Sequence, residues 1–378
     1  RQISGLCDEE LLKEKQSRDF LDRMEGYLAE LEDSLMNFRD IEHRGVVKKE
    51  QEIIELFYFK FMDIPLLSRM DAVAEYFIDE VETLKGFDLP DEERDAVKSR
   101  FYRMYETRDL YVLYNRFLRQ EGFPALPQVQ YEKRKLRYED VYPVLYLKYR
   151  LSRQAERSNI KHLVIDEMQD YSRLQYLIIR RMFSCKMTIL GDRAQTMADQ
   201  QQDVLRFLPG IFGKDLRRIE MRKSYRNTVE IASYAANLIG VTDLELFERH
   251  GMPVLERNVT DLEAALREAV DTLFPEEKTY ETAAVIVPDE KTAERAYLIL
   301  REILVEKDFD CEKRLSWLNR DSSSFKKGLT VTTFYLAKGL EFDQVFSIFP
   351  KDEKREMMMQ AQYIAATRAL HELRVYHI

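Results

Sequence analysis

The chain has 378 residues, 45% of them apolar, with 21 tyrosines, 21 phenylalanines and a net charge of −9. That size and aromatic content exclude a disordered chain and leave room for two or three domains. The acidic balance excludes a protein that coats nucleic acid by bulk charge, but not one with a local basic groove.

Cys7, Cys185 and Cys311 lie far apart, with no CxxC pair and no histidines close by. This argues against a disulfide framework or a zinc site and for a reducing, cytoplasmic compartment. No apolar run approaches the length of a membrane span, and no signal-peptide pattern opens the chain.

Residues 1 to about 95 read as helical throughout. "DEELLKEKQSRDFLDRMEGYLAELEDSLMNF", "KKEQEIIELFYFKF" and "LLSRMDAVAEYFIDEVETLKG" repeat apolar residues at three- and four-residue spacing, and Gly86 supplies a C-terminal stop. Helices continue to about 158 through "AVKSRFYRMYETRDLYVLYNRFLRQEG" and "YEDVYPVLYLKYRLSRQ". Tyrosines interleaved with arginines there can stack on bases. The simpler reading is an apolar core with arginines snorkelling over its rim.

From Lys161 short apolar runs alternate with helical stretches. "HLVID", "KMTILGD", "LRRIEM", "AAVIVP", "LTVTTF", "QVFSIF" and "LRVYHI" read as strands. "SRLQYLIIRRMF", "NTVEIASYAANLIG" and the stretches near 289–305 and 355–369 read as helices. Buried strands separated by helices predict an α/β protein with parallel sheets, and 214–378 has enough strands for a sheet of its own.

The first strand ends in Asp166-Glu167, followed by Gln169 and Asp170. In open parallel sheets, ligands sit at the carboxyl ends of strands. An acid there can hold Mg²⁺, and its neighbour can deprotonate a water. The structural alternative is a pair of acids favoured by a helix start. The next strand ends in "LGDRAQ", where Gly191 permits a tight exit and Asp192 and Gln195 face the same edge. "KSYRN" places Tyr225 and Arg226 before a helix, suited to a base and a phosphate. "TFYLAKGLEFD" places Lys338, Gly339 and Glu341 in an expected strand-to-helix turn, and "YIAATRA" places Thr367-Arg368 on a helix.

In this order the segments DExQD, GDxxQ, SYRN, AKGLEFD and AATRA resemble motifs II to VI of the superfamily 1 helicases of the UvrD/Rep type, over about residues 160–378. "LRYEDVYPVLYLKYRL" running into "IKHLVIDEMQDYS", and Tyr335 where typical UvrD-type enzymes have His, look more like the HelD (helicase IV-like) branch. The resemblance implies RecA-like P-loop motor domains, with an all-helical insertion at 1–95, a partial first domain (1A) at 96–213 and a complete second domain (2A) at 214–378. It implies ATP and Mg²⁺ as cofactors. Asp166 would bind the metal, Glu167 would be the general base, and Gln195 would contact the γ-phosphate. Tyr225 would stack on adenine, Arg226 and Arg368 would neutralise the transferring phosphate, Glu341 would bond the ribose, and Gly339 would let the backbone approach.

Motif I, GxxxxGK[ST], is missing: none of the 12 glycines is followed by Lys-Ser or Lys-Thr. With Arg1 as the first residue, truncation between motifs I and II is the favoured reading over loss of the loop. The chain by itself is then expected to lack ATPase activity. The stretch 227–332 completes one sheet but leaves little room for the large inserted domain of UvrD-type helicases. A HelD-like motor is therefore expected, one that remodels complexes of DNA, in particular single-stranded DNA, or of RNA polymerase. The acids Glu9, Glu10, Glu25, Glu30, Glu32 and Asp33 of the insertion would mimic DNA charge. A non-catalytic module binding RNA polymerase or nucleic acid is the alternative.

Overall fold

The computed structural model describes residues 3–4, 9–153, 159–192, 204–221, 223–241, 245–276, 279–307, 309–319, 327–351 and 356–378. Two compact units emerge. Residues up to Gly191, with the helix following residue 203, form the first. Asp192 and residues 217–378 form the second.

The first unit is built from helices α1 (Glu9–Lys15), α2 (Arg18–Ser34), α3 (Leu66–Lys85), α4 (Asp91–Tyr102), α5 (Leu110–Gln120) and α6 (Tyr138–Leu151). One core runs through them from Phe20 past Phe77, Phe101, Phe117 and Leu147 to Ile178, so helices on both sides of residue 95 share it. Apolar residues at three- and four-residue spacing give each helix a single buried stripe. Ser17 caps α2 and Asp109 caps α5, each accepting a backbone N–H of the first turn.

A buried ion pair ties α1 to α6. Lys15 Nζ donates to Asp140 Oδ1 at 2.5 Å with both side chains fully enclosed, and Tyr114 and Arg137 donate to the same carboxylate at 2.6 and 2.9 Å.

The all-helical expectation fails at two places, the first being the short strand Ile3–Ser4, which pairs in parallel with Leu136–Arg137. At the second, Ile41–His43 and Val46–Lys48 form an antiparallel hairpin. Its two-residue turn puts Arg44 at φ 49° and Gly45 at φ 75°, the pair of positive values that a tight hairpin needs.

The first unit also holds a two-stranded parallel sheet, β1 (His162–Ile165) beside β2 (Lys186–Ile189), with α7 (Arg173–Met182) between them in sequence and α8 (Val204–Phe212) following. A small core of Ile165, Tyr176, Val204 and Leu208 supports it. Val164 nonetheless remains 61% exposed.

The second unit carries a six-stranded, all-parallel sheet. It comprises β3 (Leu255–Asn258), β4 (Thr282–Val287), β5 (Leu315–Trp317), β6 (Gly328–Thr333), β7 (Phe342–Phe349) and β8 (Ala369–His377), in the order β5-β6-β4-β7-β8-β3. Helices α9 (Val229–Ile239), α10 (Leu262–Asp271), α11 (Glu290–Val305) and α12 (Glu356–Thr367) cover it. The alternation of a strand divides the core between its two faces. Ala283, Val285 and Val287 of β4 pack with α10 and α11, whereas Ala284 and Ile286 pack with α9 and α12. The α/β class expected from the sequence is thus observed.

Two expectations are corrected here. "LRRIEM" forms no strand: it has no ladder partner, and Ile219 and Met221 are 76% and 85% exposed. The segment with Lys338, Gly339 and Glu341 is not a strand-to-helix turn, because it runs from β6 through tight turns directly into β7. Among the described residues no helix is long and apolar enough to cross a membrane, and Cys185 and Cys311 are free thiols.

Candidate active site

In the first unit, Asp166 and Glu167 follow the carboxyl end of β1, where the sheet hands its ligand-facing residues to solvent. Asp166 Oδ1 accepts the Glu167 amide at 2.8 Å. Glu167 itself is left-handed, with φ 51°, a conformation uncommon for a residue with a Cβ and found where function or packing over-determines the backbone. Buried Gln169 donates to the Glu167 carboxylate and fixes its orientation. The turn is anchored from below. Met168 N donates to Leu190 O and Leu190 N to Ile165 O, both at 2.8 Å, and Tyr176 holds Met168 O at 3.1 Å.

Gly191 matters through space. A Cβ there would lie 2.4 Å from Met168 Cγ and 2.8 Å from Met168 N, so only glycine lets the exit of β2 lie against the acid turn. Ser172 and Gln175 then form a capping box that starts α7 directly after the acids. Gln195 lies outside the described residues. Asp192 groups with the second unit, where Tyr363 donates to its carboxylate at 3.2 Å. Burial, with the Asp192 charge adding to it, pushes the Tyr363 hydroxyl pKa up.

In the second unit, Tyr225, Arg226, Gly339, Glu341 and Arg368 are gathered at the amino ends of β7 and β8. Arg226 Nε pairs with Glu341 Oε1 at 2.7 Å, both side chains about half exposed. Phe342 N bonds Arg368 O at 2.9 Å, which sets the Glu341 and Arg368 backbones side by side. Gly339 takes φ 81°, a turn conformation that other residues rarely adopt. Tyr225 is 61% exposed, 5.5 Å from Phe247 centroid to centroid, with Lys223 Nζ 5.6 Å from its ring. The arrangement leaves an aromatic face open for stacking beside a cation.

Arg368 is almost wholly buried. It donates to Ile364 O, Leu340 O and Thr367 Oγ1 at 3.2, 3.5 and 3.1 Å. Tyr335 bonds Glu290 at 3.1 Å.

Sequence reasoning gave no role to Asn227, which donates to Thr367 O and Ala369 O at 3.2 and 2.7 Å and so brackets Arg368. Its only sequence signal was its place next to Arg226.

No group of three or more His, Cys, Asp or Glu among the described residues forms a metal cage. Asp166 nonetheless fits a Mg²⁺ that arrives with a nucleotide, since this ion takes one or two carboxylates and draws its remaining ligands from phosphate and water.

The first unit thus offers an acid pair after a parallel strand, and the second offers arginines beside an exposed aromatic. Residues 11–197 match the family model described as the UvrD/REP helicase N-terminal domain. The match takes in 187 of the 378 residues, the acid pair among them.

Among solved structures, the C-terminal domain of a possible DNA helicase from Lactobacillus plantarum WCFS1 is similar at 24% identity, with 41% of this chain and 88% of that one covered and a TM-score of 0.33. The PRRSV helicase is similar at 15% identity over 71% of this chain and 45% of its own, with a TM-score of 0.32. Arterivirus nonstructural protein 10, a helicase solved in complex with DNA, is similar at 14% identity over 71% and 51%, with a TM-score of 0.31. The chain therefore spans about half the length of these two viral helicases. No curated protein matches the chain.

Proposed function

We propose that this chain carries motifs II to VI of a HelD-type, UvrD-like ATPase that couples ATP hydrolysis to movement on single-stranded DNA or to remodelling of RNA polymerase complexes. The observation that carries the reading is the Asp166-Glu167 turn, an acid pair at the carboxyl end of a parallel strand with one carboxylate oriented by a buried glutamine. Asp166 holds the metal that accompanies the nucleotide, and that ion supplies neutralisation of phosphate charge. Glu167 takes the proton of the attacking water, with Gln169 fixing which oxygen faces it. Gln195 contacts the γ-phosphate. Tyr225 stacks on adenine, Gly339 admits the backbone, and Glu341 bonds the ribose once it has released Arg226.

Arg226 exchanges its carboxylate partner, and Arg368 the oxygens of Ile364, Leu340 and Thr367, for phosphate oxygens as charge builds up on the transferring group. On this reading Asp192 is one of the nucleotide-binding residues, with Tyr225, Gly339 and Glu341. The domain division at 95 and 213 and a cytoplasmic location belong to the same proposal.

Without the lysine and amides of a phosphate loop, the triphosphate loses its main contacts, so the 378-residue chain turns over ATP at background rate, with or without single-stranded DNA. Robust turnover by this chain would overturn the site as drawn. The missing loop leaves one alternative reading, a non-catalytic module that binds RNA polymerase or nucleic acid. For an RNA polymerase contact through acidic mimicry, three of the acids are already engaged. Glu25 pairs with Arg150, Glu30 accepts from Gln120 at 2.9 Å, and Glu32 pairs with Arg69 at 2.5 Å. Retention of RNA polymerase on the immobilised chain tests the partner, and no retention removes it.

A further inference from the structure

We infer that Arg249, which lies outside every motif, is a positioning residue that holds the segments bearing Arg226 and Arg368 in one block; the inference rests on the roles proposed for those two arginines. The Arg249 Nη2 donates to Arg226 O at 2.6 Å and to Leu370 O at 2.5 Å. One nitrogen thus joins the backbone at the first arginine to the backbone two residues after the second. Asn227 makes the parallel tie, to Thr367 O and Ala369 O. Between them, Arg249 and Asn227 tie residues 226–227 to three carbonyls of residues 367–370, those of Thr367, Ala369 and Leu370, with Arg368 inside the bracket.

Arg249 is itself held by a strap, residues 247–251, sewn to the helix that follows Arg226. Phe247 N bonds Ser224 O at 3.2 Å, and Val229 N bonds Arg249 O at 2.9 Å. Glu230 accepts Gly251 N at 2.8 Å and His250 Nδ1 at 3.0 Å. Gly251 closes the strap: a Cβ there would meet Thr228 Cγ2 at 2.6 Å and His371 O at 3.2 Å.

The chemistry is unusual for a merely surface arginine. Among the described residues no carboxylate pairs with Arg249, and its buried Nε makes no hydrogen bond. A guanidinium spent on two neutral carbonyls with one N–H unsatisfied is a poor ion site. What it supplies is the fixed distance between two backbone segments. Geometry at that level matters, because a displacement of about 1 Å in a reacting site costs on the order of 100-fold in rate.

Two measurements decide the matter. In the 378-residue chain, Arg249→Met keeps the aliphatic stem and removes the fork. Hydrogen exchange is expected to quicken in peptides covering 224–231 and 364–371 and to stay unchanged in β4. In any longer form of the protein that turns over ATP, Arg249→Met lowers kcat roughly 10- to 100-fold. KM for ATP stays within about threefold, and Arg249→Lys recovers most of the loss by restoring a long donor. Unchanged exchange in the two segments overturns the inference, as does wild-type kcat in Arg249→Met alongside an impaired Arg226→Ala. Wild-type turnover in Arg226→Ala instead removes the role proposed for that arginine, and the exchange result still decides whether Arg249 holds the two segments.

Discussion

The two units use parallel strands in opposite ways. In the second, β4, β6 and β7 are buried along nearly their whole length, with helices on both faces, and the sheet is the core. In the first, the core is helical, and β1 and β2 sit at its margin with alternate residues open to solvent. Parallel sheets are ordinarily covered on both faces. The acid pair is therefore held by its own turn, through Gly191, Gln169 and Leu190, whereas the arginines are held beside a sheet with a core on each face.

If the first unit depends on its helical core, breaking the Lys15–Asp140 pair should have the largest effect. Lys15→Ala leaves a buried carboxylate short of its cation and costs about 3 kcal/mol, the low end for a buried pair because Arg137 remains. The helical far-ultraviolet signal should then melt at lower urea, while fluorescence of the single tryptophan, Trp317 in β5, keeps its midpoint.

Ile286→Ala should do the reverse. It truncates a fully buried side chain in the central strand, costs about 2–4 kcal/mol, and moves the Trp317 transition alone. A shift of both transitions by either variant would mean the units do not unfold separately.

A smaller effect distinguishes the units by pH. Burial pushes the Glu230 carboxyl up, but hydrogen bonds from His250, its own amide and Gly251 outweigh this and bring it down to about 2. A carboxylate depressed by folding contributes stability above its unfolded pKa, which is lost as pH falls through the folded value. Glu230→Gln should therefore narrow the gap in Trp317 midpoint between pH 6 and pH 3, and an unchanged gap would discount the strap's ionic tie. Smallest of all, Val164→Ala on the open face of β1 should change stability by no more than about 0.5 kcal/mol. A cost above about 2 kcal/mol would show that the face is covered in solution.

The same contrast explains what the sequence made legible. β4, β6, β7 and β8 stood out because burial on both faces demands continuous apolar runs. β3 and β5 did not, since "LERN" and "LSW" are short edge strands with little apolar signal. "LRRIEM" has a strand's composition but no neighbour to bond. The acid pair was legible because chemistry fixes residue type and spacing after a strand. The ties made by Asn227 and Arg249 were not, because a side chain donating to distant carbonyls leaves no periodic trace. Gly191 was noticed as a turn residue, though its requirement is room beside Met168.

The central claim is that Glu167 is the base of an ATP-hydrolysing site. It is tested most directly by steady-state ATP turnover of the whole protein carrying Glu167→Gln, with ATP binding followed alongside. The account predicts intact binding and a kcat lowered roughly 10²- to 10⁴-fold, the usual contribution of a positioned general base. Turnover equal to that of the unaltered protein would contradict it.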